Sequence, residues 1–103
     1  MATPVAGPNT STSNTPGTPV NGIDVNQAGG YIVNPLQAAD QGLSTAEPLL
    51  VNQVGPAQLA ANGTTLALQP GQSYSVIPYT TTPVTVVAQS PNHLFTAVQW
   101  PNP

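Results

Sequence analysis

The sequence predicts an all-β protein: a small antiparallel β-sandwich or barrel of about six short strands, carrying an extended N-terminal arm. Three observations carry that prediction. The charged residues that normally cover the wet face of a helix are nearly missing, with no Lys or Arg and only three acids, Asp24, Asp40 and Glu47. In their place stand Thr, Ser, Asn and Gln, which suit strands and turns. Short apolar runs then alternate with Gly, Pro and Asn clusters at roughly 8–12-residue intervals, the spacing of an antiparallel all-β domain.

In chain order, residues 1–28 make the predicted arm. Pro4, Pro8, Pro16 and Pro19 interrupt any helix, and the Thr, Ser and Asn between them bury little. Such a segment becomes ordered only when held, by its own body or by a neighbouring chain, and a docking role is expected. Val5, Val20, Ile23 and Val25 are its candidate partner contacts, spaced to plug shallow apolar sites.

The compact β domain is expected over residues 29–103. Tyr31, Ile32 and Val33 open the first strand, at 31–34, which Pro35 closes. Residues 36–43 suit one helical turn ended by Gly42. Leu49, Leu50 and Val51 begin the second strand, at 49–54, stopped by Gly55-Pro56. Residues 57–61 stay open between loop and helical turn. Asn62-Gly63 marks a turn before a third strand at 64–68. Gln69-Pro70-Gly71-Gln72 fits a type II turn, because Pro presets φ at the second position and Gly accepts positive φ at the third. That turn predicts a hairpin between 64–68 and a fourth strand at 73–77. The fifth strand is expected at 82–88, a turn at Ser90-Pro91-Asn92, and the last strand at 93–100.

Charge narrows the function further. Binding to nucleic acid or to anionic lipid requires cations, and the chain has none, so neither is an expected partner. No apolar stretch approaches the roughly 18 residues of a membrane span, and the start, Met-Ala-Thr-Pro-Val, does not read as a secretory signal. No cysteine is present to form a disulfide or thiolate site. A body of this size gains little net stability from its core, since burial and chain entropy nearly cancel below about 70–80 residues. Oligomerisation is the expected supplement, with a homotrimer favoured.

Catalysis is not expected. A nucleophile–base pair would have to recruit His93, the single histidine, which sits beside a tight turn and reads as a turn or edge residue meeting backbone or water. Asp40 and Glu47, the possible carboxylate pair, read as solvated loop acids, with Asp40 a possible local cap. One His and three acids make at most a weak metal site, so no metal or cofactor is expected.

Residues 29–100 resemble small structural proteins of tailed-bacteriophage virions. The resemblance lies in GGYIVNP at 29–35, AADQGL at 38–43, AEPLLV at 46–51, VGPA at 54–57, NGTTLALQPGQSYSVIP at 62–78 and TTPVTVVAQSPNHLFTAVQW at 81–100. It covers the body and not the arm. It implies a capsid decoration (cement) protein or a related head-associated protein, located on the outer capsid surface of the virion. Such a protein uses no cofactor and bridges neighbouring major capsid proteins, often as a trimer. Two other readings stand beside it: a tail or head-fibre component, and a glycan-binding, adhesin-like module. The last would stack sugar rings on Tyr31, Tyr74, Tyr79 or Trp100, with Tyr79 and Trp100 the chief aromatic candidates.

Overall fold

The computed structural model describes residues 4–25, 28–78 and 81–101. Among them are eight strands and one helical turn: β1 (Val5–Ala6), β2 (Val20–Ile23), β3 (Gly30–Val33), α1 (Ala38–Gln41), β4 (Leu49–Asn52), β5 (Leu66–Leu68), β6 (Ser73–Val76), β7 (Val84–Val87) and β8 (Thr96–Gln99). They form two four-stranded sheets, β1-β8-β3-β6 and β2-β7-β4-β5. Every pairing is antiparallel. The arrangement is a small β-sandwich.

Alternation along the strands builds the core. Val84 and Val86 are fully buried, with Thr85 between them turned outward, and Leu49 and Val51 on β4 are buried beside them. Ile32, Val76 and Ala97 come from the first sheet, and Phe95 joins them from the approach to β8. Leu50 and Val87 point to the opposite face of the second sheet and are still buried, because Ala57 packs on them. The loop carrying Ala57 is pinned there: its N–H donates to Thr85 Oγ1 at 2.9 Å, and that hydroxyl donates to Gly55 O at 3.1 Å. Ala57 thus covers the sheet, while residues 58–61 are exposed, and the stretch 57–61 forms no helical turn.

The six strands read from the sequence correspond to β3 through β8, β3 shifted by one residue and the other five shorter than expected. Gly42 ends α1 in the left-handed conformation at φ 72°. Two features differ from the sequence reading. The first is the hairpin at 69–72. The turn itself forms, with Gln72 N–H donating to Gln69 O at 2.9 Å and Gly71 at φ 88°. Its flanking strands nevertheless join different sheets, β5 pairing with β4 and β6 with β3. Asn34, just past β3, decides this: Gly71 N–H donates to Asn34 O at 2.8 Å and Asn34 N–H to Gln72 O at 3.0 Å. The chain leaving the turn is thereby captured by β3, and Leu68 and Val76 are both buried in the core between the sheets.

The second difference is the arm. Its described residues do not stand off the body. β1 extends the first sheet on β8, and β2 extends the second on β7 with a bulge between Asn21 and Ile23. Between them, residues 10–13 are clasped to the approach to β8. Thr12 N–H donates to His93 O at 3.0 Å, Phe95 N–H to Thr10 O at 2.9 Å, and Asn92 N–H to Ser13 O at 3.1 Å. Ile23 is fully buried in the chain's own core. Ile23→Val is therefore expected to destabilise the isolated protein by about 1 kcal/mol, read as a lower urea midpoint at constant slope. An Ile23 that served only a partner would leave that midpoint where it was.

Candidate functional site

Two places concentrate the side chains that are neither ordinary core nor ordinary solvated surface. The first is a groove along the open side of the sandwich. β5 and β6 are the edge strands of their sheets, and the 69–72 arch that joins them keeps both edges on one side. The groove has a volume of about 430 Å³ and is lined by Gln53, Val54, Leu66, Tyr74 and Ile77, with Thr64, Pro78, Thr81 and Thr82 at its margins. Val54, Leu66 and Ile77 are 64%, 49% and 65% exposed, among the most exposed large apolar residues of the chain. Gln53 organises the polar part. Its Nε2 donates to Ile77 O at 3.0 Å, its Oε1 accepts the Tyr74 hydroxyl, and its carbonyl accepts Thr82 Oγ1 at 2.9 Å. Partial burial raises the Tyr74 pKa, which keeps that hydroxyl a donor. Among the described residues, no charged side chain lines the groove.

The second place is a buried polar cluster where β3 ends, β4 begins and the chain approaches β8. Asn34 is its hub. Its Nδ2 donates to Leu68 O at 2.8 Å and Glu47 O at 2.9 Å, which fixes the amide orientation. Its Oδ1 accepts Gln41 Nε2 at 3.0 Å and faces His93 Nε2 at 2.8 Å. Because Oδ1 only accepts, His93 Nε2 carries the hydrogen and Nδ1 of the neutral ring is a bare acceptor. Nδ1 and Glu47 Oε1 are both buried without a hydrogen-bond partner, while Glu47 Oε2 accepts Ser90 Oγ at 2.7 Å. Burial holds the His93 pKa below the usual histidine value, and the Glu47 carboxylate opposes that shift.

His93 follows the turn, as the sequence suggested, but it is fully buried and its ring meets a side-chain amide, not backbone or water. It lies beyond Asn92, the turn residue at φ 55°, and its ring turns inward to an amide 59 residues away. Ser90 bonds Glu47 and not the imidazole, so the hydroxyl, ring and carboxylate are not in the order that activates a nucleophile. Asp40 is exposed on α1. Among the described residues no group of three or more His, Cys, Asp or Glu is placed to hold a metal ion. No described helix is long and apolar enough to cross a membrane.

The candidate contacts of the sequence reading are not brought together. Ile23 lies in the core and Val20 packs partly against it, whereas Val5 and Val25 are half-exposed. Trp100 is 39% exposed and tilts at 57° against Tyr31, with centroids 5.7 Å apart. Tyr79 lies outside the described residues. The groove and the Asn34 hub were missed because both join side chains distant in sequence. Only Asn34, a polar residue closing an apolar strand before Pro35, left a local signal.

None of the family models matches the chain, and no match is found among curated proteins or among solved structures. What the fold defines is a class: a small antiparallel β-sandwich with an uncharged, apolar-walled groove on its open side.

Proposed function

We propose that the chain is a structural virion protein that binds the outer capsid surface and stabilises contacts between major capsid proteins, acting as a homo-oligomer, a trimer being favoured. The observation that carries a docking role is the groove: Val54, Leu66 and Ile77 are exposed together between two strand edges, with no charge to keep water there. Such a feature is an aggregation hazard in a free monomer. Covered by a partner, it becomes an interface core that requires no charge to be desolvated. The virion setting is supported by the resemblance of residues 29–100. Val5 and Val25, both exposed, lie on β1 and just after β2, the sheet edges opposite the groove, and would make a separate contact.

A single substitution set tests the docking. Val54→Ser with Ile77→Ser removes about 1 kcal/mol of burial per side chain from the docked state. Binding to capsids stripped of the protein should weaken roughly tenfold or more, with the urea midpoint of the free chain nearly unchanged. Undiminished binding would move the contact elsewhere. Copy number in purified virions then separates the proposed roles. Hundreds of copies at a fixed ratio to the major capsid protein mark a decoration protein, and a handful mark a tail or head-fibre part.

The glycan-binding reading has one observation of its own. Tyr74, Gln53, Thr81 and Thr82 give the groove neutral hydroxyl and amide groups beside apolar walls. Absence of the protein from particles, with saturable binding to a glycan array, would favour that role.

A further inference from the structure

We propose that His93 is an acid-sensitive latch: protonation of its buried ring frees residues 10–13, and β1 with them, from the body. The latch does not depend on what the groove binds.

The ring and the clasp are one unit. His93 N–H donates to Thr12 Oγ1 at 2.9 Å, and His93 O accepts Thr12 N–H at 3.0 Å. The bonds of Asn92 to Ser13 and of Phe95 to Thr10 flank this pair, and Ser11 bridges Leu94. The ring cannot leave its site without disturbing the backbone that holds residues 10–13. In the neutral form the ring is satisfied through Nε2 on Asn34 Oδ1. A second proton adds a buried charge and an N–H at Nδ1, where the protein supplies no acceptor in reach.

Few groups oppose this. The elements packed against His93 present Thr12, Asn34, Glu47 and, through Asn34, Gln41 of α1, and only Glu47 among them ionises. Its carboxylate favours the protonated ring from a distance, but no hydrogen bond joins Oε1 to Nδ1, and burial is the larger effect. Asp24 and Asp40 are exposed. The sign follows. The closed form binds the proton less tightly than the opened form, whose histidine titrates near 6.5. Stability of the clasp is therefore full above that pH and falls as pH drops below it, by up to about tenfold in the opening constant per pH unit.

Amide hydrogen exchange of the full chain at pH 7.5, 6.5 and 5.5, corrected for intrinsic rates, tests the latch. The amides of Thr12, Asn92, His93 and Phe95 should exchange well ahead of those of β4 and β7, as a sub-global opening does. Their protection should fall by up to about fivefold between pH 6.5 and 5.5. His93→Gln keeps a donor for Asn34 and cannot charge, so its clasp should be insensitive to pH over that range. Should that variant not fold, Glu47→Gln provides the second arm: loss of the opposing carboxylate weakens proton binding to the closed form further, so protection still begins to fall near pH 6.5 and is at least as low at pH 5.5 as in the wild type. The latch is overturned by pH-independent protection, by protection that rises in acid as a His93–Glu47 ion pair would produce, or by clasp amides that exchange together with the core.

Discussion

Replacing Asn34 with Ala is expected to destabilise the protein by roughly 3–5 kcal/mol, a large share of what a small domain possesses. Not every bond at this hub counts equally. Gln41 Nε2 also donates to Pro35 O at 2.8 Å and to Glu47 O at 3.1 Å, so Gln41 and the Glu47 carbonyl both keep a partner in the variant. Leu68 O and His93 Nε2 lose the amide to which they are bonded. Each buried group left unpaired costs about 1–3 kcal/mol, and the vacated amide volume adds to that. The effect also reaches topology, because Asn34 Nδ2 ties the end of β5 to the end of β3 beside the arch. Urea unfolding with unchanged slope should show the midpoint lowered by more than about 1 M. A loss below about 1.5 kcal/mol would mean that Leu68 O and the imidazole find other partners. Asn34→Asp makes a sharper comparison. It retains the acceptor for His93 but provides no donor for Leu68 O, and it should fall at least as far as Asn34→Ala.

What was legible in the sequence was whatever depends on neighbours along the chain. Tyr31-Ile32-Val33, Leu49-Leu50-Val51 and Val84 to Val87 are β-branched or apolar runs between Gly and Pro punctuation, and all became strands. Gly42 and Gly71 were read from the positive φ that their turns require, and both have it. A turn sets the dihedrals of four residues but not the strand with which the next segment pairs. The 69–72 turn therefore forms as expected while its strands separate into two sheets. β1 has only two residues, and β2 reads Val-Asn-Gly-Ile with a bulge, so neither carries a period to detect. Their places depend on contacts with β8 and β7 at the far end of the chain. The same limit applies to the site. Val54 and Ile77 read as strand ends, and only the packing of edge strands from two sheets reveals that they share a groove. His93 read as a turn or edge residue meeting backbone or water because nothing beside it announced Asn34.

Gly30→Ala is expected to cost at least about 3 kcal/mol and to melt the sandwich as a whole. A Cβ on Gly30 would meet Val98 O at 2.1 Å and Gln99 Cα at 3.0 Å, both backbone atoms with no rotamer to yield. β3 is an inner strand, paired with β8 on one side and β6 on the other, so a shift that relieves the contact strains both ladders. Gly7 meets a comparable obstacle, with Gly22 O at 1.9 Å and Ala97 Cβ at 2.8 Å from an added Cβ. Its surroundings differ, and so does the expected outcome. Gly7 follows β1, a two-residue edge strand, and is attached to the body through a backbone bond to Ala97 O. The cheapest relief for Gly7→Ala is to let β1 and the clasped residues lift away while Ile23 keeps β2 in the core. The cost should be about 1–2 kcal/mol, with amide protection lost at residues 7–12 and retained in β4 and β7. Two alanines facing similar clashes thus separate the part of the fold that must remain closed from the part that can open. Equal losses in the two variants would show that the N-terminal segment is as integral as the inner strands, and would leave His93 no clasp to release.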